Sequence, residues 1–570
     1  MPISNAPPTS RAVLDQSLER LASKAREFAR APIAQKERWL SETRQAFKEV
    51  APALVERACA AKRIDFSGNL AAEEWLSGPG IILRHLRQYE GSLARRRVSG
   101  RTLTSQSRVT ETDEGRTTIS VLPVDSFDRA VFLGFTSETW LASGVAPGDV
   151  AGLQGTFYDE SEPEGGVSLV LGAGNIASIP AVDALYKLFV EGRVCLLKLN
   201  PINDYLGPCF ERAFEVLIRA GFLQIAYGGG DVGAYLCQHP MVSDIHITGS
   251  DRTFDHIVWG PPGEERTRRQ ALHQPLLTKP ITSELGNISP AIITPAKYTD
   301  AQLQLMARNV VGTFVLNAGF NCNATKLLVL ARGWPQAPLF LKAVAEWLGR
   351  VPTRYSYYPG SEEAYGRLLA AGSNVQKFGE AREGTLPWAL VSDVEPHPAS
   401  PTFNEEPFCA VLSQTSLGSP DPEEFFQAAT SFLNDHVRGT LNAMLLVPPQ
   451  SERDPRYSQA VKKAISALRY GVIGVNHWPA AAFGMGSIPW GGYPGATLED
   501  VQSGIGFVHN TFMLERIEKS VLRGPFEAFP LPMWFPGHRT QNIVAKKFCE
   551  FEAAPSWAKV AGLAWSALRA

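Results

Sequence analysis

Over the first hundred residues the apolar positions repeat at helical spacing. Leu14, Leu18, Leu21, Ala25 and Phe28 fall on one face, and Trp39, Leu40, Phe47 and Leu54 mark a second amphipathic stretch. Between about 107 and 140 the texture changes. The Thr/Val-rich runs RTTISVLPV and RAVFLGFT predict two strands, at 117–124 and 129–135. A Gly/Asp/Glu-rich stretch, 144–166, reads as loop. From 167 strand and helix alternate: VSLVL, VCLLKL, FLQIAY and DIHIT are short apolar strands with helical patterns between them. This rhythm predicts a parallel sheet with crossover helices, an architecture that binds nucleotides at its strand ends. After 283 it resumes with PAIIT, a helix over 301–317, KLLVLA, a further helix and GTLNAMLLVP, which predicts a second α/β domain. The segment 510–570, rich in Pro, Phe and Trp, reads as irregular and ends in a short helix.

A chain of 570 residues exceeds what one hydrophobic core supports, so two or more domains are expected. With 44% hydrophobic and 20% charged residues the composition is that of a globular protein. Fifty-five Lys and Arg against 57 Asp and Glu leave a net charge of −2, which supplies no basic field for nucleic acid. The seven cysteines form no CxxC pair and no disulfide-like framework, so a reducing compartment is expected and a metal site is not. The N-terminus lacks the apolar core of a secretory signal, and no run reaches the roughly 20 apolar residues of a bilayer span. The expectation is a cytoplasmic protein with no membrane span.

Two glycine loops follow strands. Gly172-Ala-Gly174-Asn175-Ile176-Ala177 fits G-x-G-x-x-A, and Gly228-Gly229-Gly230-Asp231-Val232-Gly233 fits G-x-G-x-x-G. The strand after the first ends in Lys198-Leu199-Asn200-Pro201, without the acid a dinucleotide fingerprint requires. Taken alone, each loop is more often a tight strand-to-helix turn. Read singly, Asn175 is a helix cap, Glu284 a solvated strand end and Cys322 an inert core thiol.

The order of the segments is more informative. Gly172–Asn175, Lys198–Pro201, Ile247-Thr248-Gly249-Ser250, Ser283-Glu284-Leu285-Gly286 and Asn317-Ala318-Gly319-Phe320-Asn321-Cys322 follow one another, with Asn404-Glu405-Glu406-Pro407-Phe408 and Pro489-Trp490-Gly491-Gly492-Tyr493 behind them. In this order and spacing they resemble the NAD(P)-dependent aldehyde dehydrogenase superfamily over about 165–505. The resemblance implies an α/β, aldehyde dehydrogenase-like fold with a Rossmann-type cofactor domain, an α/β catalytic domain and a β oligomerisation element. It places the cofactor domain at 1–106 and 141–282, the oligomerisation hairpin at 107–140, the catalytic domain at 283–500, and an oligomerisation strand with an extended tail at 501–570. The hairpin would pair with a strand near 505–513 in a homodimer or homotetramer.

The resemblance also implies roles. Cys322 is the nucleophile, Glu284 the general base and Asn175 the oxyanion donor. Lys198 reaches the adenosine ribose, Gly249 and Ser250 the pyrophosphate, and Glu406 and Phe408 the nicotinamide riboside. Ile176, Ile179, Phe320 and Trp490 line the substrate tunnel, with Trp478 and Phe483 near it, while Asp183 reads as a solvated helix position. Pro201 stands where the family has an acid that repels a 2′-phosphate, so NADP is expected beside NAD. The implied reaction oxidises an apolar aliphatic or aromatic aldehyde to a carboxylic acid through a thioester on Cys322. The alternatives are a CoA-acylating relative, which commonly lacks the base, and a non-catalytic member of the fold.

Overall fold

The structure, a computed structural model, describes residues 6–569. Two sheets organise it. The smaller has five parallel strands in the spatial order Leu223–Ala226, Val194–Lys198, Val167–Leu171, Asp244–Thr248 and Ile281–Glu284. The side chains of the three central strands are buried on both faces, as a parallel sheet covered by helices requires. The N-terminal helices Arg11–Arg30, Ile33–Ala61 and Ile81–Ser99 share one core with this sheet, and Leu14, Leu18, Leu21 and Phe28 all point into it.

The larger sheet has eleven strands. Seven run parallel, in the order Ile517–Arg523, Val472–Val475, Asn442–Leu446, Pro290–Ile293, Leu327–Ala331, Val411–Leu417 and Trp388–Ser392. Asn374–Phe378 closes one end antiparallel, and a three-strand antiparallel ribbon extends the other. The helices Asp300–Val315 and Ala337–Arg350 bury Phe314, Val310, Phe340 and Val344 in the second core. The first of these helices starts in a capping box between Thr299 and Gln302.

The hairpin region departs from the sequence reading. The first strand, Thr117–Leu122, forms where expected, but Ser126–Val131 is a short helix. The Asp125 side chain caps it by accepting from the Asp128 N–H, and a capped turn outweighs the local strand pattern. The second strand is Thr136–Leu141. It pairs with Ile517–Arg523 of the same chain, not with 505–513. Residues Phe507–Val508 instead pair with Trp490–Gly491.

The tail is more ordered than its composition suggests. Ile517–Arg523 escapes a pattern reading because Glu518 and Lys519 interrupt it, yet both are buried. Lys519 Nζ donates to the carbonyls of Ile465, Ser466 and Leu468 at the end of the helix Pro455–Ala467, where cations are favoured. Two helices, Gln541–Ala553 and Trp557–Ala567, follow and form a small core of Val544, Phe548, Phe551 and Leu563. Among the described residues no helix is long and apolar enough to cross a membrane.

A buried ion cluster fixes the tail to the N-terminal helices. Arg84 donates to both Asp128 oxygens at 2.9 and 2.8 Å and to Glu552 Oε1 at 2.9 Å, and Arg87 Nε reaches Glu552 Oε2 at 2.6 Å. Arg84, Asp128 and Glu552 are fully buried, and removal of one partner strands an uncompensated charge. Glu552→Ala is therefore expected to lower the unfolding free energy by about 3 kcal/mol or more. Chemical denaturation of wild type and variant measures it, and an unchanged midpoint would show that the cluster does not secure the tail.

Candidate active site

Glu284 ends an edge strand of the five-stranded sheet, and six residues later the chain enters the eleven-stranded sheet at Pro290. The crossing is tightly held. Asn287 Nδ2 donates to Asn442 O at 2.9 Å, and Ser289 Oγ donates to the carbonyl of Cys322 at 2.9 Å. The segment 503–505 clamps the strand from the side through Ser283 N–H to Ile505 O and Leu285 N–H to Ser503 O. Gly504 permits this approach: its φ is +113°, and a Cβ there would sit 2.0 Å from Ser283 O.

Cys322 lies after the helix Asp300–Val315, beyond a loop in which Asn317, Ala318 and Gly319 have φ of 53°, 57° and 81°. Two non-glycine residues in the left-handed region cost about 1–3 kcal/mol each, so the surroundings must impose the shape. Asn317 supplies the ties. Its N–H donates to Glu73 Oε2 at 2.9 Å, its Oδ1 accepts from Lys62 Nζ and the Tyr357 hydroxyl at 3.0 Å each, and its Nδ2 donates to Phe320 O at 2.9 Å and Asn175 O at 3.2 Å. Beneath it run two ion pairs, Lys62–Glu74 at 2.8 Å and Arg354–Glu73 at 3.0 Å. Asn175 is drawn into the same knot, its Nδ2 donating to Phe320 O at 3.1 Å.

The loop delivers the Cys322 thiol to Glu284, where Sγ–H donates to Oε1 at 3.2 Å. Of the seven cysteines, all among the described residues, Cys322 alone is not fully buried. Burial, aided by the charge of Asp183, pushes the Glu284 carboxyl up to about 7. Burial and then the negative charges of Glu284 and Glu406 push the Cys322 thiol well above its ordinary value. In this geometry the thiol is the donor and the Glu284 carboxyl the acceptor.

Cys322 stands where two cavities meet. The first, about 950 Å³, is lined by Gly174, Asn175, Lys198, Gly249, Ser250, Glu284, Glu406 and Phe408. Both glycine loops face it, and the helices Gly230–Gln238 and Asp251–Trp259 begin at its wall. A Cβ at Gly230 or Gly233 would meet open space. Burial lowers the Lys198 ammonium to about 8 and raises the Glu406 carboxyl to about 8. Asp251, an adverse charge in the sequence reading, is paired with Arg438 at 2.5 Å. Among the described residues no group of three or more His, Cys, Asp or Glu side chains could hold a metal ion.

The second cavity, about 650 Å³, is apolar and reaches Cys322 past Asn321, Ile176, Ile179, Trp478 and Phe483. Phe320 and Trp490 do not line it. Phe320 turns into a buried aromatic cluster with Tyr357, Tyr358 and Phe408. Trp490 is fully buried against Phe483 and flanks Glu284, where Trp490 Nε1 and Glu284 Oε2 lack a hydrogen bond of good geometry. Asp183 is not solvated either. It is fully buried, accepting from Thr248 Oγ1 at 2.8 Å and lying 3.1 Å from His509 Nε2. Although burial pushes its carboxyl up, His246 and His509 hold it below the usual carboxylate range. Lys62, Glu73, Glu74, Tyr357 and Arg354 carried no signal in sequence, because each gains its meaning from a partner distant along the chain.

Comparison with known proteins agrees with this geometry. Residues 160–353 match the profile of the Aldehyde dehydrogenase family. Betaine aldehyde dehydrogenase of Agrobacterium fabrum is 26% identical over 290 residues, which are 49% of this chain and 51% of that protein. The 4-trimethylaminobutyraldehyde dehydrogenase A of Danio rerio is 27% identical over 195 residues, 34% of each chain. The matched stretches thus span about a third to a half of these relatives. In fold the likeness is broader: the NADP complex of the NADP-dependent glyceraldehyde-3-phosphate dehydrogenase of Bacillus halodurans superposes with a TM-score of 0.57 at 16% identity, over 91% of this chain and 92% of that one. Residues 160–353 thus match the Aldehyde dehydrogenase family, and the described chain as a whole has the fold of the aldehyde dehydrogenases it superposes on.

Proposed function

We propose that this protein oxidises an apolar aldehyde to a carboxylic acid with NADP or NAD. The observation that carries the reading is the position of Cys322, 3.2 Å from a buried carboxyl and open to a large polar-ended cavity on one side and an apolar one on the other. The first cavity suits a dinucleotide. Helix N-termini behind Gly230 and Ser250 favour its phosphates, Lys198 and Glu406 would hold its two riboses, and the glycines leave room for its backbone. When bound, the nicotinamide supplies the hydride acceptor.

The chain's own groups perform the rest. Glu284 takes the proton from Cys322, and the thiolate adds to the aldehyde carbonyl. The second N–H of the Asn175 amide, beyond the one spent on Phe320 O, donates to the oxyanion. Once the adduct has lost its hydride the acyl group rests on Cys322 as a thioester, and Glu284, its first proton released to solvent, takes one from the water that hydrolyses it. The apolar second cavity receives the remainder of the aldehyde. Two of the relatives are named for trimethylammonium aldehydes, and a cationic substrate is a second reading that the wall of this cavity does not favour. Its one carboxylate, Glu73, is spent on Arg354 through bonds of 3.1 and 3.0 Å. Assembly as a homodimer or homotetramer belongs to the same proposal, supported by the exposed outer strand Val109–Glu111 and decided by light scattering.

Cys322→Ala is expected to abolish turnover and retain cofactor binding, read by NAD(P)H absorbance and by calorimetric titration. Glu284→Gln should keep a first burst of NAD(P)H and deacylate about a hundredfold or more slowly. A fully active Cys322→Ala protein would sink the assignment.

Because the Glu284 base form is half populated near pH 7, deacylation should rise as pH passes about 7 and level above it. The Glu284→Gln profile should lose that limb. A wild-type profile already flat at pH 5 would show a carboxyl of ordinary acidity.

With Pro201 in place of an acid, NADP should be used at least as well as NAD. A preference for NAD of about a hundredfold in kcat/KM would overturn this reading of Pro201.

A further inference from the structure

The apolar cavity at Cys322 is completed by a part of the chain that lies far from every catalytic motif. Its inner end is walled by Ile176, Ile179 and Phe483, and its outer half by the tail, from Phe529 and Met533 to Val544, Phe548 and Leu563. We propose that the tail is the outer wall of the substrate tunnel and that the substrate is a long-chain aliphatic aldehyde, its carbonyl at Cys322 and its hydrocarbon chain between the tail helices and the segment Val131–Phe135. This rests on the oxidation proposed above and names its substrate class.

Three observations carry it. First, the space is long-chain in size. About 650 Å³ holds some twenty groups at the ~30 Å³ that a water occupies, and a methylene is of that order, so a chain of roughly ten or more carbons fits. Second, the wall offers such a chain few polar groups to desolvate: of its four uncharged polar side chains, Ser77, Asn321 and Gln541 already donate to backbone carbonyls, which leaves Asn323. Its charged groups are Glu73 and Arg354, which pair with each other, and Arg350, which stacks on Trp347 at 4.7 Å. Third, the wall is held in place and its rim is greasy. Glu552 is anchored to Arg84 and Arg87, and Lys547 Nζ ties the two tail helices through Gly562 O at 3.0 Å and Ser566 Oγ at 2.7 Å. At the rim Leu133, Phe529 and Leu568 are 67%, 75% and 52% exposed, which is costly unless an apolar ligand passes there.

The test is a series of straight-chain aldehydes from butanal to hexadecanal, oxidised by the full-length protein and read as NAD(P)H formation. Each methylene buried in the tunnel should raise kcat/KM by up to about fourfold, until the tunnel is filled. Leu563→Trp, which narrows the outer half, should lower the ratio of kcat/KM for dodecanal over butanal by about tenfold or more. The rim variant Phe529→Asp, at a position exposed enough to leave folding intact, should lower the same ratio. A binding measurement separates the tunnel from the chemistry: dansylundecanoic acid titrated into the Cys322→Ala protein should bind and be displaced by dodecanoate but not by butanoate. If butanal or betaine aldehyde is oxidised as well as dodecanal, and the fluorescent acid does not bind, the tunnel proposal is overturned while the oxidation stands. If no aldehyde yields NAD(P)H but the fluorescent acid binds and is displaced by chain length, the oxidation fails and the tunnel stands.

Discussion

The Cys322 thiol and the Glu284 carboxyl come from different sheets, and their 3.2 Å contact is the constraint on which the rest depends. An error of one ångström there would break the hydrogen bond, so both partners must be held to a fraction of that distance. The chain achieves this by crossing from one sheet to the other directly after Glu284 and bonding the crossing to Cys322 through Ser289. The Gly504 loop fixes the strand before Glu284, and Asn317 fixes the loop before Cys322. Neither sheet alone could place the pair.

The same region gathers many buried charges. Lys62–Glu74 and Arg354–Glu73 lie beneath the nucleophile loop, and Asp183 with His246 and His509 lies behind Glu284. Buried ion pairs are weak sources of net stability, since desolvation offsets most of their attraction. Their use here is geometric. Lys62 and Tyr357 both donate to Asn317 Oδ1, which holds a strained backbone that apolar packing would let relax. Asp183 acts on the base at longer range, because its retained negative charge adds to the burial that raises Glu284 toward neutral pH.

Polarity divides the space around Cys322. On one side lie helix N-termini, Lys198 and Glu406. On the other lie aliphatic and aromatic side chains supplied in large part by the last forty residues. The tail reaches that position because Ile517–Arg523 joins the large sheet and turns the chain back toward the N-terminal helices, where Glu552 meets Arg84. An element that begins as sheet completion thereby ends as a wall of the apolar cavity.

Much of this could be read from the amino acids alone. VSLVL, VCLLKL and KLLVLA declare buried parallel strands because all but one side chain in each is apolar, and that signal is local. The ordered segments around Asn175, Lys198, Glu284 and Cys322 pointed to the family whose profile residues 160–353 match, for the same reason: each motif is short and contiguous. Other features waited for the fold. Lys519 looks like a solvent cation until three helix-end carbonyls are seen to surround it, which is why its strand was read as irregular. Asp183 looks solvated until His509, 326 residues away, is found beside it. Phe320 sits next to the nucleophile in sequence yet points away from the tunnel, because rotamer and neighbours, not spacing, aim a side chain. Periodicity is a property of neighbouring residues and survives in one dimension, whereas burial of a charge, the aim of a ring and the far wall of a cavity depend on which distant segments meet, and only the tertiary structure decides that.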